Sequence, residues 1–168
     1  MPDEAYDFVH SSHCLEHLRN PREALMNWMR ILKPEGHMVV VIPDEDLYEQ
    51  DTFPSTKNRD HKWTFTITKN CSWSPRSINL TRLLVDLGSD VQIMRIDLLD
   101  GTYRYALPPM DQTQTPVGGC AIEFILRKRT RRDLELKGDR LPVPAQRRPR
   151  RAVKLTRSGA IRRRTGKP

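Results

Sequence analysis

The chain has 168 residues, 37% of them hydrophobic and 30% charged, enough for one ordinary domain and too few for two. Its three scattered cysteines, Cys14, Cys71 and Cys120, do not make a disulfide framework, and a reducing, cytoplasmic setting is expected. The longest aliphatic run, Met38 to Ile42, is far shorter than the ~20 residues of a membrane span, and the acidic start Met-Pro-Asp-Glu-Ala is unlike a signal peptide.

The net charge of +8 is unevenly spread. Residues 1–126 carry 12 Lys and Arg against 18 Asp and Glu, and residues 127–168 carry 17 against 3. An acidic body of −6 therefore precedes a basic tail of +14, an asymmetry that suggests a polyanion partner for the tail.

In chain order, Tyr6 to His10 reads as a short strand followed by polar turn residues. Asn20-Pro21-Arg22-Glu23 is a helix start: Asn20 caps, Pro21 suits the first helical position and Glu23 completes a capping box. Leu25, Trp28, Met29 and Leu32 follow at i, i+3, i+4, i+7 as one apolar face. Lys33-Pro34-Glu35-Gly36 stops the helix. Met38 to Ile42 lacks alternation and is rich in β-branched residues, the pattern of a strand buried on both faces of a parallel sheet. Residues 6–42 thus predict a strand–helix–strand crossover.

Residues 43–76 are polar and aromatic without clear period and predict an ordered, lid-like loop. A second helix is expected from Ser74 or Ser77, with Leu80, Leu83, Leu84 and Leu87 on its apolar face and Gly88 at its end. Val91 to Leu98 and Ala121 to Leu126 predict strands, separated by a proline-bearing loop. The segment 129–168, rich in Arg and Pro, cannot bury enough surface to offset an ordering cost of ~1–2 kcal/mol per residue and is expected to be disordered.

Taken together, Tyr6-Asp7-Phe8-Val9, Leu15-Glu16-His17-Leu18, Arg30-Ile31-Leu32-Lys33-Pro34 with Gly36, and Val39 to Pro43 resemble the second half of a class I S-adenosylmethionine-dependent methyltransferase of the small-molecule kind. The match is tight over roughly residues 5–45 and looser to 126. It implies a partial Rossmann-like α/β sheet within residues 1–128. Residues 6–10 become the fourth strand, 37–42 the fifth, 91–98 the sixth and 121–126 an antiparallel seventh. It also implies that the cofactor, S-adenosylmethionine, lies against Ser11, Ser12 and His13, where open α/β sheets bind ligands. Asp44, His61 and Trp63 are then expected at the small-molecule methyl acceptor. His13, His17 and His61 become candidate proton acceptors, since imidazole titrates near neutrality. The glycine-rich turn that cradles the cofactor in this family has no counterpart here, because no G-x-G occurs in the chain. The expectation is a truncated or incomplete enzyme that is unstable alone or needs a partner, such as a separate chain, to supply the first half.

His13-Cys14-Leu15-Glu16-His17 also has the H-x-x-E-H spacing of inverted zinc proteases. That reading needs the motif inside a helix, whereas here it follows a strand and Pro21 begins a new helix. Some methyltransferases of this class carry E-x-x-E-H at this place and bind a divalent ion. His13 replaces the first glutamate, which disfavours Mg²⁺. No resident metal is expected, although His13, Glu16 and His17 are the residues a metal would use. The alternative to an enzyme is a non-enzymatic protein that docks on nucleic acid or an anionic surface through the Arg-rich tail. That tail lacks aromatic residues for stacking on bases.

Overall fold

The computed structural model describes residues 1–113 and 116–136. Its main sheet contains β1 (Tyr6–Ser12), β2 (Leu32–Pro43), β5 (Val91–Leu99) and β6 (Ala121–Lys128) in the order β1-β2-β6-β5. β1 and β2 run parallel, and β6 is antiparallel to both β2 and β5. The expected partial α/β sheet with an antiparallel last strand is what forms. The long α1 (Pro21–Ile31) provides the parallel crossover between β1 and β2.

α1 starts where the sequence places it. Asn20 Oδ1 accepts from the Glu23 backbone N–H at 3.2 Å, and Pro21 occupies the first turn. Its buried side chains, Leu25 and Met29, meet Met38, Val40 and Ile42 of β2 and Phe124 of β6 in one core. Leu80 and Leu84 of α2 (Leu80–Val85) join the same core. β2 is not buried on both faces. Met38, Val40 and Ile42 are inaccessible, while Val39 and Val41 on the opposite face remain half-buried. Both α1 and α2 pack on one side of the sheet, and the outward row that includes His10, Val39 and Ile125 lies on the other.

The irregularity in β2 where its register against β1 shifts depends on two adjacent residues. Glu35 has φ +68°, the left-handed region that glycine enters without cost. At Gly36, a Cβ would come within 2.8 Å of the Lys33 carbonyl oxygen and 3.1 Å of that of Asp7. Gly36 therefore lets β2 close onto β1.

The long segment after β2 is built into the body. A π-helical turn (Glu45–Glu49) follows β2, and β3 (Thr64–Thr66) pairs in parallel with β4 (Ser77–Asn79). Phe65 and Thr64 are inaccessible, and the Lys62 backbone N–H donates to the Glu16 carbonyl at 2.8 Å. Ser77 to Asn79 are consumed by this small sheet. The second helix therefore begins later than the sequence suggests, capped by Asn79, whose Oδ1 accepts from Arg82 N–H at 3.0 Å.

Order also extends past residue 128. Arg131–Leu136 form α3. Thr130 Oγ1 accepts from Asp133 N–H and Asp133 Oδ2 accepts from Thr130 N–H, each at 3.0 Å. This reciprocal capping box offsets the poor apolar content of the segment. The rest of the Arg-rich tail, from 137 onward, lies outside the described residues. Among the described residues, no helix is long and apolar enough to cross a membrane.

Candidate active site

The site begins where β1 ends. Ser11 Oγ is buried without a hydrogen-bond partner, Ser12 is exposed, and His13 turns the chain with φ +47°. A left-handed conformation at a residue other than glycine is uncommon and collects at functional turns. The His13 backbone N–H donates to the Val41 carbonyl at 2.9 Å, which ties the turn to β2. Leu15–His17 then form a single 3₁₀ turn rather than a helix. Glu16 points into the body and is inaccessible, and Leu15 next to it belongs to the core.

Around Glu16 gather three histidines. His13 Nδ1 lies 3.5 Å and His17 Nε2 3.8 Å from Glu16 Oε1. The rings of His17 and His61 meet edge to face at 4.8 Å between centroids. Tyr48 stacks on His61 at 5.8 Å and touches His13 at 5.6 Å. His61, which arrives from the long segment after β2, is buried with its Nδ1 2.9 Å from Glu49 Oε1. His17 Nδ1 is 3.1 Å from Asp60 Oδ2. Burial is the largest influence on Glu49, and it raises the Glu49 carboxyl above the usual carboxylate range against the opposing pull of His61. Among the described residues, both Glu16 oxygens and Glu49 Oε2 have no hydrogen-bond partner.

The structure thus brings together His13, Glu16, His17 and His61, with Ser11 two residues before His13 at the end of β1. Asp44 and Trp63 make other contacts. Asp44 Oδ1 accepts from the backbone N–H groups of Asp46 and Leu47 at 3.1 and 3.2 Å, capping the π-helical turn. Burial, with Asp46 nearby, pushes its carboxyl up to about 6. Trp63 Nε1 donates to the Leu18 carbonyl at 2.9 Å, and the Arg76 guanidinium lies over its ring. Trp63 also lines a groove of about 810 Å³ between the starts of α1 and α2, with Arg19, Arg22, Lys69 and Arg82. Sequence reasoning missed Glu49 and Tyr48. Neither carries a motif, and only the fold of the π-helical turn sets them beside His61.

A family model described as a methyltransferase domain matches residues 1–91, and the chain belongs to that family. Among solved structures, the [4+2]-cyclase SpnF is similar at 15% identity and a TM-score of 0.50, over 77% of this chain and 52% of that one. A putative methyltransferase from Bacillus halodurans C-125 aligns at 13% identity and TM-score 0.49, over 77% and 67%. A SAM-dependent methyltransferase from Methanosarcina mazei aligns at 15% and 0.48, over 77% and 62%. The chain spans about half the length of the first of these. No curated protein sequence matches it significantly.

Proposed function

We propose that the chain forms the acceptor-side half of a methyltransferase site that passes a methyl group from S-adenosylmethionine to a small molecule. The observation that carries this reading is the turn Ser11–His13 at the carboxyl end of β1, beside a buried carboxylate and three histidines. The orphaned Ser11 Oγ fits a bound polar ligand, because a buried hydroxyl without a partner costs free energy that a ligand can recover. Ser11, Ser12 and His13 would hold the methionine portion of the cofactor. The cofactor supplies an activated methyl on a sulfonium centre, so the protein's work is alignment and deprotonation.

His13 is the most accessible member of the cluster, with 39% of its side chain exposed and its Nδ1 3.5 Å from Glu16 Oε1. It is therefore placed to take a proton from an acceptor hydroxyl or amine. His17 and His61 are held by carboxylates and line the same wall. Trp63 and the groove beside it offer apolar and cationic surface to the acceptor. Asp44 shapes the rim by holding the turn that carries Tyr48 and Glu49.

Among the described residues no strand pairs with the outer edge of β1, and this supports a further part of this reading. Phe8 is 57% exposed on that strand. An unpaired apolar edge is a ready template for another strand. We assign the glycine-rich side of the cofactor pocket to polypeptide beyond these residues, in the same protein or in a separate chain, acting in the cytoplasm. Residues 1–128 then act as one unit, with the basic tail outside it.

Calorimetric titration tests this. S-adenosylmethionine is expected to bind the chain only when it is joined to, or mixed with, a segment carrying strand and G-x-G. Ser11→Ala and His13→Ala should weaken that binding by roughly tenfold or more, the loss of about 1.4 kcal/mol expected of one good polar contact. Micromolar binding by the 168-residue chain alone, or binding indifferent to both substitutions, would contradict the proposal.

A further inference from the structure

We propose that Glu16, His17 and His61 form a binding site for a borderline divalent cation, Zn²⁺ foremost, with Asp60 and Glu49 as outer carboxylates. One potential ligand atom from each of the three residues lies within 4.8 Å of the other two. The set differs from the one offered by the H-x-x-E-H spacing: His61, 44 residues beyond His17 in the chain, takes the place of His13.

Three observations converge. The first is the orientation of the two imidazoles. His17 Nδ1 faces Asp60 at 3.1 Å and His61 Nδ1 faces Glu49 at 2.9 Å. A carboxylate behind each ring fixes the tautomer and leaves Nε2 as the lone-pair nitrogen. That pairing is how metal-bound histidines are held from outside. The second is Glu16. Its side chain is wholly inaccessible, neither oxygen has a hydrogen-bond partner among the described residues, and its nearest imidazole nitrogens are His13 Nδ1 at 3.5 Å and His17 Nε2 at 3.8 Å. A buried carboxylate needs a compensating charge, and a cation between Glu16 and the two imidazoles supplies it. The third is the donor set itself. Two imidazole nitrogens and one carboxylate oxygen suit Zn²⁺ and its neighbours, whereas Mg²⁺ and Ca²⁺ prefer oxygen alone.

Around a tetrahedral zinc with bonds of about 2.0–2.1 Å, donor atoms sit about 3.4 Å apart. From separations of up to 4.8 Å, the cluster therefore has to close by as much as about 1.4 Å. Three protein donors leave a fourth position open. With an ion bound, His17 and His61 are ligands, and His13 remains the residue able to accept a proton. The inference stands on the cluster geometry and not on methyl transfer, and its readouts need no S-adenosylmethionine. Failure of the metal site and failure of cofactor binding are thus told apart.

The test is Zn²⁺ titration of the full chain against a chromophoric chelator, with Co²⁺ as a spectroscopic stand-in. One Zn²⁺ per chain should bind, and Co²⁺ should show the visible absorption of a low-coordinate nitrogen–oxygen site. His61→Ala and Glu16→Gln should weaken binding by more than ~100-fold. Asp60→Asn, at an exposed carboxylate whose loss cannot unfold the protein, should weaken it by roughly 10–100-fold. Cys14→Ser and Cys71→Ser should change nothing. Binding that survives Asp60→Asn and Glu16→Gln unchanged, thiolate absorption abolished by Cys14→Ser, equal affinity for Mg²⁺, or no bound ion at all would each overturn the assignment.

Discussion

Glu49 Oε1 and His61 Nδ1 stand 2.9 Å apart with their side chains 0% and 1% exposed. The pair joins the π-helical turn to the segment that carries Trp63, and both of its side chains are buried. Removing only the histidine leaves a buried carboxylate with neither oxygen partnered. His61→Ala should cost about 3 kcal/mol, within the range for breaking a buried pair. The double variant Glu49→Leu/His61→Leu should recover most of it, because neither charge is then stranded. Urea unfolding of both variants measures the difference. Equal stability of the single and double variants would mean that the pair is not what holds the segment.

Asp44 gives a pH dependence of definite sign. Its carboxyl is raised from 3.8 to about 6, mainly by burial. The folded state therefore holds the proton more tightly than the unfolded chain. The stability tied to that proton is fully present below pH 3.8, falls through the window up to about 6, and is gone above it. The total is on the order of 3 kcal/mol. Asp44→Asn keeps an oxygen for the Asp46 and Leu47 N–H groups and removes the titration. Its Tm should exceed that of the parent at pH 7.5, and the gap should close toward pH 4. A gap independent of pH would refute the assignment.

Glu35 and Gly36 should respond in opposite directions. Glu35 bears a left-handed φ of +68°, and its contact with Arg127 is 3.5 Å between partly exposed side chains. An exposed pair of that kind contributes little. Glu35→Gly should therefore raise stability by about 0.5–1 kcal/mol. Gly36→Ala places a methyl 2.8 Å from the Lys33 carbonyl and should lower stability by about 1–3 kcal/mol. Thermal melts of the two variants check both signs.

The free edge of β1 predicts association of the isolated chain. Phe8 and Tyr6 are 57% and 41% exposed on it. Phe8→Lys places a charge on that edge, a common means of blocking strand addition. Sedimentation at micromolar concentration should show self-association of the parent chain and its loss in the variant. A monomeric parent would remove the edge as an interface.

Local rules account for much of this structure. The cap at Asn20, the apolar stripe of α1 and the β-branched run of β2 were legible because each depends on neighbours three or four residues away. The strand–helix–strand crossover followed from them. The start of α2 was not legible, because β3 competes for Ser77 to Asn79 from a distance in the chain. Thr130 and Asp133 carried a capping signal that the arginine-rich composition around them obscured.

The site divides in the same way. Ser11 to His17 could be picked out from sequence, since a strand followed by a polar turn and two histidines is a local pattern with a family likeness. That His61 closes on His17 and Glu16, that Glu49 stands behind it, and that Asp44 serves as a cap were decided only by the tertiary structure. Those groups come from different segments, and their burial and mutual contacts exist only once the chain has folded. A linear pattern records which donors are available, but it does not record which of them lose water together.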